Sequence, residues 1–422
     1  MYDTTIQKEK AIAIAFGKKG TDRELAFEHL NELESLADTA GAEIIEKVYQ
    51  ELAAPNPATI VGKGKIEEIK FLIETKEITL VIFDDDLSPS QLRNLENELE
   101  VKIIDRSGLI IDIFAKHAKS LEAQTQVELA QSQYLLPKLS KMWTHLSKQY
   151  GGIGTKGPGE TQIETDRRAL RMKIQRLKDK LKEISVQKEQ QKKGRASLPR
   201  FSLIGYTNAG KSSLMNTISD ASVFVEDKLF ATLDTTVRAF NFPNGQKGLL
   251  SDTVGFIRKL PTHLIASFRS TLAEAADADI LIHVVDVSHK YFREHIKVVD
   301  DTLEFLKLSE KPTLLVFNKI DLIEDIAELK SIENEYPGCI FVSAMKGMNI
   351  LNLQDLMQRK YDEQSKQYKI LLPYSSMDLI SKLYSNSDII SRNDKDDGVI
   401  FEVKVIPEKL KTFEHYFGVF IM

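Results

Sequence analysis

Residues Leu203 to Ser213 read LIGYTNAGKSS. An apolar run leads into Gly205, four variable residues come next, and Gly210-Lys211-Ser212-Ser213 opens a helix-like stretch. Glycines at that spacing let backbone N–H groups turn inward and approach an anion, and a helix N-terminus adds positive potential. The pattern predicts a phosphate cradle at the end of a strand, built from Gly205, Tyr206, Thr207, Asn208, Ala209, Gly210, Lys211, Ser212 and Ser213. Lys211 would reach the β- and γ-phosphates, and Ser212 would place its hydroxyl on Mg²⁺. A plain strand-to-helix turn is the competing reading, so the rest of the chain must decide.

Three further segments come later in the chain, each after an apolar strand-like run. Asp252-Thr253-Val254-Gly255 offers a carboxylate to hold Mg²⁺ through water and a glycine amide to sense the γ-phosphate. Asn318-Lys319-Ile320-Asp321 ends TLLVFNKID. A carboxylate at Asp321 accepts two hydrogen bonds from guanine N1–H and the exocyclic amine. Facing adenine it would stay unpaired, which is costly, so Asp321 selects guanine. Lys319 would lie along the base, and Asn318 would tie its loop to the phosphate loop. Ser343-Ala344-Met345 would present backbone amides to guanine O6. Each segment alone also fits a strand end or cap. Their order between Leu203 and Met345 makes the ligand GTP or GDP, with catalysis resting on Lys211 and Gly255.

Around this centre the texture changes three times along 422 residues. Residues 1–115 alternate strand-like stretches (KAIAIAF, EIIEKVY, ATIVG, ITLVIFDDD, VKIIDR) with helix-like ones (RELAFEHLNELESLAD, KIEEIKFLIETK, SPSQLRNLENELE), which argues an N-terminal α/β domain with a largely parallel sheet. Residues 116–195 carry two apolar seams: Ala123, Val127, Ala130 and Tyr134, then Ile163, Leu170, Ile174, Leu177, Leu181 and Ile184. With YGGIGTKGPGET between them they predict a long antiparallel helical hairpin with a glycine-rich tip, kinked at Pro137, each arm about 40 Å long. Residues 196–362 form the nucleotide domain. Its runs RFSLIG, VRAFNF, GLLSDTVG, DILIHVVDVS, TLLVFNKID and CIFVSA read as buried strands of a mostly parallel sheet. Residues 363–422 form a small C-terminal α+β domain read as strand, helix, strand, helix: YKILLPY, SMDLISKLYS, GVIFEVKVI and PEKLKTFEHYF.

The formal net charge is −5, yet Arg167–Arg195 holds 12 Lys/Arg against 3 Asp/Glu. An acidic body with one basic arm points to a local polyanion contact, or to a solvated helix face. The single cysteine, Cys339, sits in GCIFVSA and reads as buried filler. No stretch approaches a membrane span and no signal peptide is visible, so a cytoplasmic protein is expected, with peripheral membrane association left open.

With GGIGTKGPGETQIETDRR before the nucleotide domain, LFATLDTT within it and DTVGFIRKLP starting at Asp252, the chain resembles the TRAFAC-class GTPases and, more narrowly, the HflX family of ribosome-associated GTPases. Thr235 departs from that pattern, where a proline is expected. The resemblance implies a P-loop GTPase domain whose first switch is Phe230-Ala231-Thr232-Leu233-Asp234. Thr232 would be the second hydroxyl on Mg²⁺; Thr235 and Thr236 compete for that role by spacing. It further implies the large ribosomal subunit and its rRNA as partner, and rescue of stalled ribosomes or separation of subunits under stress. Gly154, Lys156 and Gly157 at the tip, with Arg167, Arg168 and Arg171 behind, are the expected RNA contacts. Tyr134, Trp143 and Tyr150 would stack on bases or pack the hairpin.

Phe256 stands directly after Gly255, where many GTPases carry a glutamine that orients water. Slow hydrolysis by an isolated, monomeric protein is expected, with a partner supplying a factor of about 10³ to 10⁵ if it acts like an arginine finger. His263 is an alternative internal helper. IVGKGKIEEI reads as a turn rather than a second nucleotide site, and Asp84-Asp85-Asp86 as a strand-end cap rather than a metal cluster. Two other functions stay open: a non-ribosomal signalling GTPase whose hairpin binds a protein, and an ATP-driven RNA remodeller.

Overall fold

The computed structural model describes residues 8–142 except 19 and 21, then 158–192, 198–219, 229–230, 235–261, 273–395, 397–405 and 409–422. The described residues fall into two compact units. One holds the chain up to Lys188 together with the segments 226–234 and 258–272; the other holds the remainder.

The first unit is built on four strands, β1 (Glu9–Lys18), β2 (Ala42–Leu52), β3 (Leu80–Phe83) and β4 (Lys102–Asp105), in the order β2-β1-β3-β4 and parallel throughout. Ala11–Ile14 and Leu80–Phe83 are buried on both faces, as central parallel strands must be. Helices α1 (Arg23–Ala40), α2 (Lys63–Lys76), α3 (Pro89–Leu99) and α4 (Arg106–His117) connect and cover them. Their ends are set locally. Asp22 caps α1, which stops at left-handed Gly41, and Ser88 with Gln91 forms a capping box at Pro89. Two expectations change. ATIVG is a turn, not a strand: Ile60 takes φ 63° and makes only an isolated bridge to Asn56. The run RSGLIIDIFAKH, unassigned from its pattern, is α4, started by Asp105 accepting from Gly108 N at 2.9 Å.

Helices α5 (Leu121–Met142) and α6 (Pro158–Lys192) supply the two arms expected of a hairpin. Leu129, Ile174 and Leu177 share a small core with Leu136, Leu170 and Leu181, and Lys173 meets Glu128 at 2.8 Å. α5 runs on through Pro137. Its foot is fixed by buried Asp105, which accepts from Tyr134 Oη (2.6 Å), Lys138 Nζ (2.8 Å) and Leu87 N (3.2 Å) as well as Gly108 N. Tyr134 is therefore a structural tie within the protein rather than a base-stacking platform.

In the second unit six strands, β5 (Arg200–Gly205), β6 (Thr236–Asn241), β7 (Lys247–Asp252), β8 (Ile280–Asp286), β9 (Thr313–Asn318) and β10 (Ile340–Phe341), lie in the order β10-β9-β8-β5-β7-β6. All pair in parallel except β6, which is an antiparallel edge strand with four exposed residues, so VRAFNF is not a buried central strand. Helix α7 (Lys211–Ile218) succeeds the phosphate loop and buries Leu214, Met215 and Ile218 against the sheet. Cys339 is half-buried at the margin of a second cluster around Phe317.

The C-terminal residues form β11 (Lys366–Pro373), β12 (Asp388–Lys395) and β13 (Gly398–Val405) as an antiparallel sheet of order β11-β13-β12, with helices at 380–386 and 410–417. β12 is a strand missed by the pattern. Its alternation is weak because it lies at the edge with most residues exposed.

Candidate nucleotide-binding site

The register of the second unit's sheet aligns the strand ends. Leu203 pairs with Asp252, Gly205 with Val284, and Asp286 with Asn318. The loops that leave these ends therefore meet at one rim, where ligands bind in open parallel sheets.

Gly205 leaves β5 at φ 148°, and a Cβ there would lie 2.2 Å from the Val284 carbonyl oxygen. Only glycine lets the chain depart here. Gly210, at φ 88°, would drive a Cβ to 2.2 Å from Asn318 Nδ2. That closeness has a purpose: Asn318 Nδ2 donates to Ala209 O at 2.9 Å and its Oδ1 accepts from Ala344 N at 3.0 Å. Buried Asn318 thus joins the 205–212 loop to the 343–345 loop. Thr217 Oγ1 adds a second tie, donating to Ala344 O at 2.9 Å.

Lys211 is buried, its ammonium donating to the carbonyls of Gly205 (3.1 Å) and Tyr206 (2.7 Å). Burial pulls its pKa down to about 8 against the opposing charge of Asp252. Ser212 Oγ donates to Asp252 Oδ2 at 2.6 Å. Thr253 is buried and its hydroxyl donates back to Leu203 O at 2.7 Å, fixing the exit of β7. Gly255 is packed so closely that a Cβ would meet Thr207 Cγ2 at 2.8 Å and Lys211 Nζ at 3.1 Å. Phe256 then pairs with the loop: its N–H donates to Gly205 O at 3.0 Å and its carbonyl accepts from Thr207 N at 2.8 Å. Its side chain is buried.

Lys319 takes φ 66° and its Nζ meets Asp286 Oδ2 at 2.7 Å. Asp321 is half-buried in the short 3₁₀ turn Ile320–Leu322, one strand away from Ser343. Ser343 exchanges backbone hydrogen bonds with Met348, and Met345 is exposed. Val254 is buried and Asn208 is exposed at φ 60°. Of the switch residues, Phe230 is buried at φ 58° with its ring edge-on to Phe114, centroids 4.7 Å apart. Thr236 begins β6 opposite Asp252. Ala231, Thr232, Leu233, Asp234 and His263 lie outside the described residues, as do Gly154, Lys156, Gly157, Trp143 and Tyr150. Arg167, Arg168 and Arg171 lie on α6, the first half-buried and the others exposed.

Two neighbours escaped the sequence reading. Asp286 ends DILIHVVD, where the same rule that picked out Asp252 applies: a carboxylate closing a buried strand. His295 stacks on Tyr206 with ring centroids 3.9 Å apart, a contact no spacing announces.

Three family models match in succession: a GTP-binding GTPase N-terminal region over residues 27–115, a GTP-binding GTPase middle region over 117–195, and a 50S ribosome-binding GTPase over 200–319. GTPase HflX of Flavobacterium psychrophilum is 52% identical over 75% of this chain and 76% of its own length. The Caldanaerobacter subterraneus protein of that name is 41% identical over 98% and 95%, and the Escherichia coli one 42% identical over 88% of each. The chain belongs to the HflX GTPase family. It is a P-loop GTPase that binds and hydrolyses GTP, as the HflX resemblance of its motifs implied. No helix among the described residues is long and apolar enough to cross a membrane.

Proposed function

We propose that this HflX-family GTPase is a cytoplasmic, monomeric switch whose GTP-bound form grips the large ribosomal subunit, and that it rescues stalled ribosomes or separates subunits under stress. The carrying observation is the rim itself. Asn318 locks the phosphate loop to the 343–345 loop, which puts the base-reading and phosphate-reading segments in one fixed frame.

In that frame the loop amides of residues 205–213 receive the phosphates, and Lys211 exchanges its carbonyl partners for β- and γ-oxygens. Asp321 accepts from guanine, Lys319 is aligned by Asp286 to lie along the base, and the Ser343–Met345 amides face O6. The Gly255 amide reports the γ-phosphate. The Ser212 hydroxyl and the Asp252 carboxylate converge within 2.6 Å, an all-oxygen pair that suits a hard cation. Ser212, with Thr232, would ligate Mg²⁺ and Asp252 would hold it through water. The ion would neutralise charge on the β- and γ-oxygens. Phe256 offers no side-chain donor or acceptor to water, and its backbone is already paired, so positioning of the attacking water falls to a partner. The exposed Arg168 and Arg171 of α6, with Arg167 and tip residues Gly154, Lys156 and Gly157, supply salt-dependent affinity for rRNA phosphates.

The test is GTP turnover with and without large ribosomal subunits, together with co-sedimentation in a non-hydrolysable GTP analogue. Stimulation of at least about tenfold, and analogue-dependent binding weakened by neutralising Arg167, Arg168 and Arg171, is expected. Turnover indifferent to ribosomes would sink the ribosomal reading and leave a signalling switch whose hairpin binds a protein.

A further inference from the structure

The G-x-x-x-x-G-K-S pattern asks for backbone donors between its glycines and sets no demand on the side chain at position 207. This chain puts a threonine there. Thr207 is 7% exposed. Its main chain is committed: Thr207 N donates to Phe256 O at 2.8 Å, beside the Tyr206–Phe256 bridge. Its side chain is not. Oγ1 is buried with no hydrogen-bond partner among the described residues. Burying a hydroxyl in that way costs free energy, because the bonds it made to water in the unfolded chain are not replaced. Other hydroxyls around the rim are paired. Thr217 donates to Ala344 O, Thr253 to Leu203 O, Ser251 to Phe201 O and Ser212 to Asp252 Oδ2.

The position of Thr207 gives the hydroxyl a use. The point that a Cβ of Gly255 would take lies 2.8 Å from Thr207 Cγ2, 2.9 Å from Thr207 Cα and 3.1 Å from Lys211 Nζ. Thr207 and the ammonium therefore flank one point against Gly255, and the threonine methyl now faces it. A turn of about 120° about χ1 exchanges the groups on Cβ, and one such turn puts the hydroxyl where the methyl stands. Lys211 meanwhile donates to the carbonyls of Gly205 and Tyr206, the two residues before Thr207. When it leaves them for phosphate oxygen, a hydroxyl donor at the same point meets the same anion. A methyl there would strip water from the phosphate and return no hydrogen bond. All of these residues belong to the second compact unit.

We propose that Thr207 reads the third phosphate: its hydroxyl turns toward Lys211 and donates to a γ-phosphate oxygen, a bond that a diphosphate cannot offer. The inference rests on the assignment of Lys211 to the β- and γ-phosphates made above. The cost of the unpaired hydroxyl is relieved by the triphosphate and not by the diphosphate. Thr207 thus shifts the preference of the loop toward GTP while leaving recognition of the base untouched.

The experiment uses the full chain and measures affinities for GDP and for a non-hydrolysable GTP analogue in the parent, Thr207→Val, Thr207→Ser and Thr207→Ala. Valine keeps the branched shape and drops the hydroxyl, so analogue affinity should fall about ten- to a hundredfold with GDP affinity unchanged. Serine keeps the hydroxyl and should hold the ratio of the two affinities within about threefold of the parent. Without nucleotide, Thr207→Val should melt at or above the parent temperature, because the hydroxyl it removes has no partner to lose. An unmoved ratio in Thr207→Val overturns the inference. So does a fall in both affinities with a lower melting temperature, which would make the hydroxyl a structural tie. If Thr207→Val does not fold, Thr207→Ala against Thr207→Ser decides by the same ratio. If the parent binds neither nucleotide, the site assignment itself fails and the role of Thr207 falls with it; if it binds both, only that role is at stake.

Discussion

In the sheet β2-β1-β3-β4, β3 runs out into Asp84 and β4 ends at Asp105, and each carboxylate is filled at once by cations and N–H groups of the protein itself. In the sheet of the second unit, β5 ends at Gly205 and gives way to a loop of backbone donors and one buried lysine. Both sheets carry their polar chemistry at strand C-terminal ends, because there the backbone leaves the ladder and its groups need other partners. The difference lies in sign and in closure. Acid ends recruit internal bases and become joints, whereas a glycine end with a lysine leaves donors that an anion can claim. Architecture alone therefore does not mark the active rim; the charge balance at each strand end does.

Replacing Asp105 with alanine should show the joint character most strongly. It strips the partner from buried Lys138 and from Tyr134, Leu87 and Gly108, and should cost about 3–5 kcal/mol in denaturant unfolding. GTP affinity of the protein that remains folded should be unchanged. A loss under about 1 kcal/mol would mean that the two sheets do not differ in the way described.

Lys211→Ala should give the opposite profile. Turnover should drop about 10²- to 10³-fold if Lys211 has the proposed role of donating to charge that develops on the phosphates. Thermal stability should hold or rise, since the buried ammonium is costly and its pKa is already depressed to about 8. A destabilised, still active variant would make Lys211 a joint as well.

An effect that is small per pH unit sharpens the contrast inside the second unit. His283 is buried in β8, and burial, helped by the charge of Lys211, lowers its pKa from 6.5 to about 3. The unfolded chain takes up the proton first on acidification. Stability that is complete above about pH 6.5 is therefore lost as pH falls toward about 3, with a slope up to about 1.4 kcal/mol per pH unit. In His283→Gln, melting temperature plotted against pH should flatten over that window; an identical slope would remove His283 as the cause.

Most of the strand ends were legible in the residues because parallel strands buried on both faces give continuous apolar runs, and glycine, aspartate and asparagine stand out where those runs stop. RFSLIG, TLLVFN and DILIHVVD are strands for that reason. Edges were harder. VRAFNF is as apolar as its neighbours yet is an antiparallel edge, and DIISRNDK at another edge was not seen at all. The run GLIIDIF hides helix α4 because a short apolar run has the same look in either state, and Asp105, its cap, is also the last residue of β4. Asp84 looks like a cap in the sequence because its partners, Arg258 and Lys259, lie 174 and 175 residues away.

From the residues alone came the kind of ligand, since glycine spacing and a lysine at a helix mouth are local requirements of chemistry. Only the folded chain could decide which carboxylates are spent internally. An ion pair depends on distance in space, and the sequence carries no measure of that until sheet register and helix packing bring Asp84 to Arg258, Asp105 to Lys138 and Asp286 to Lys319.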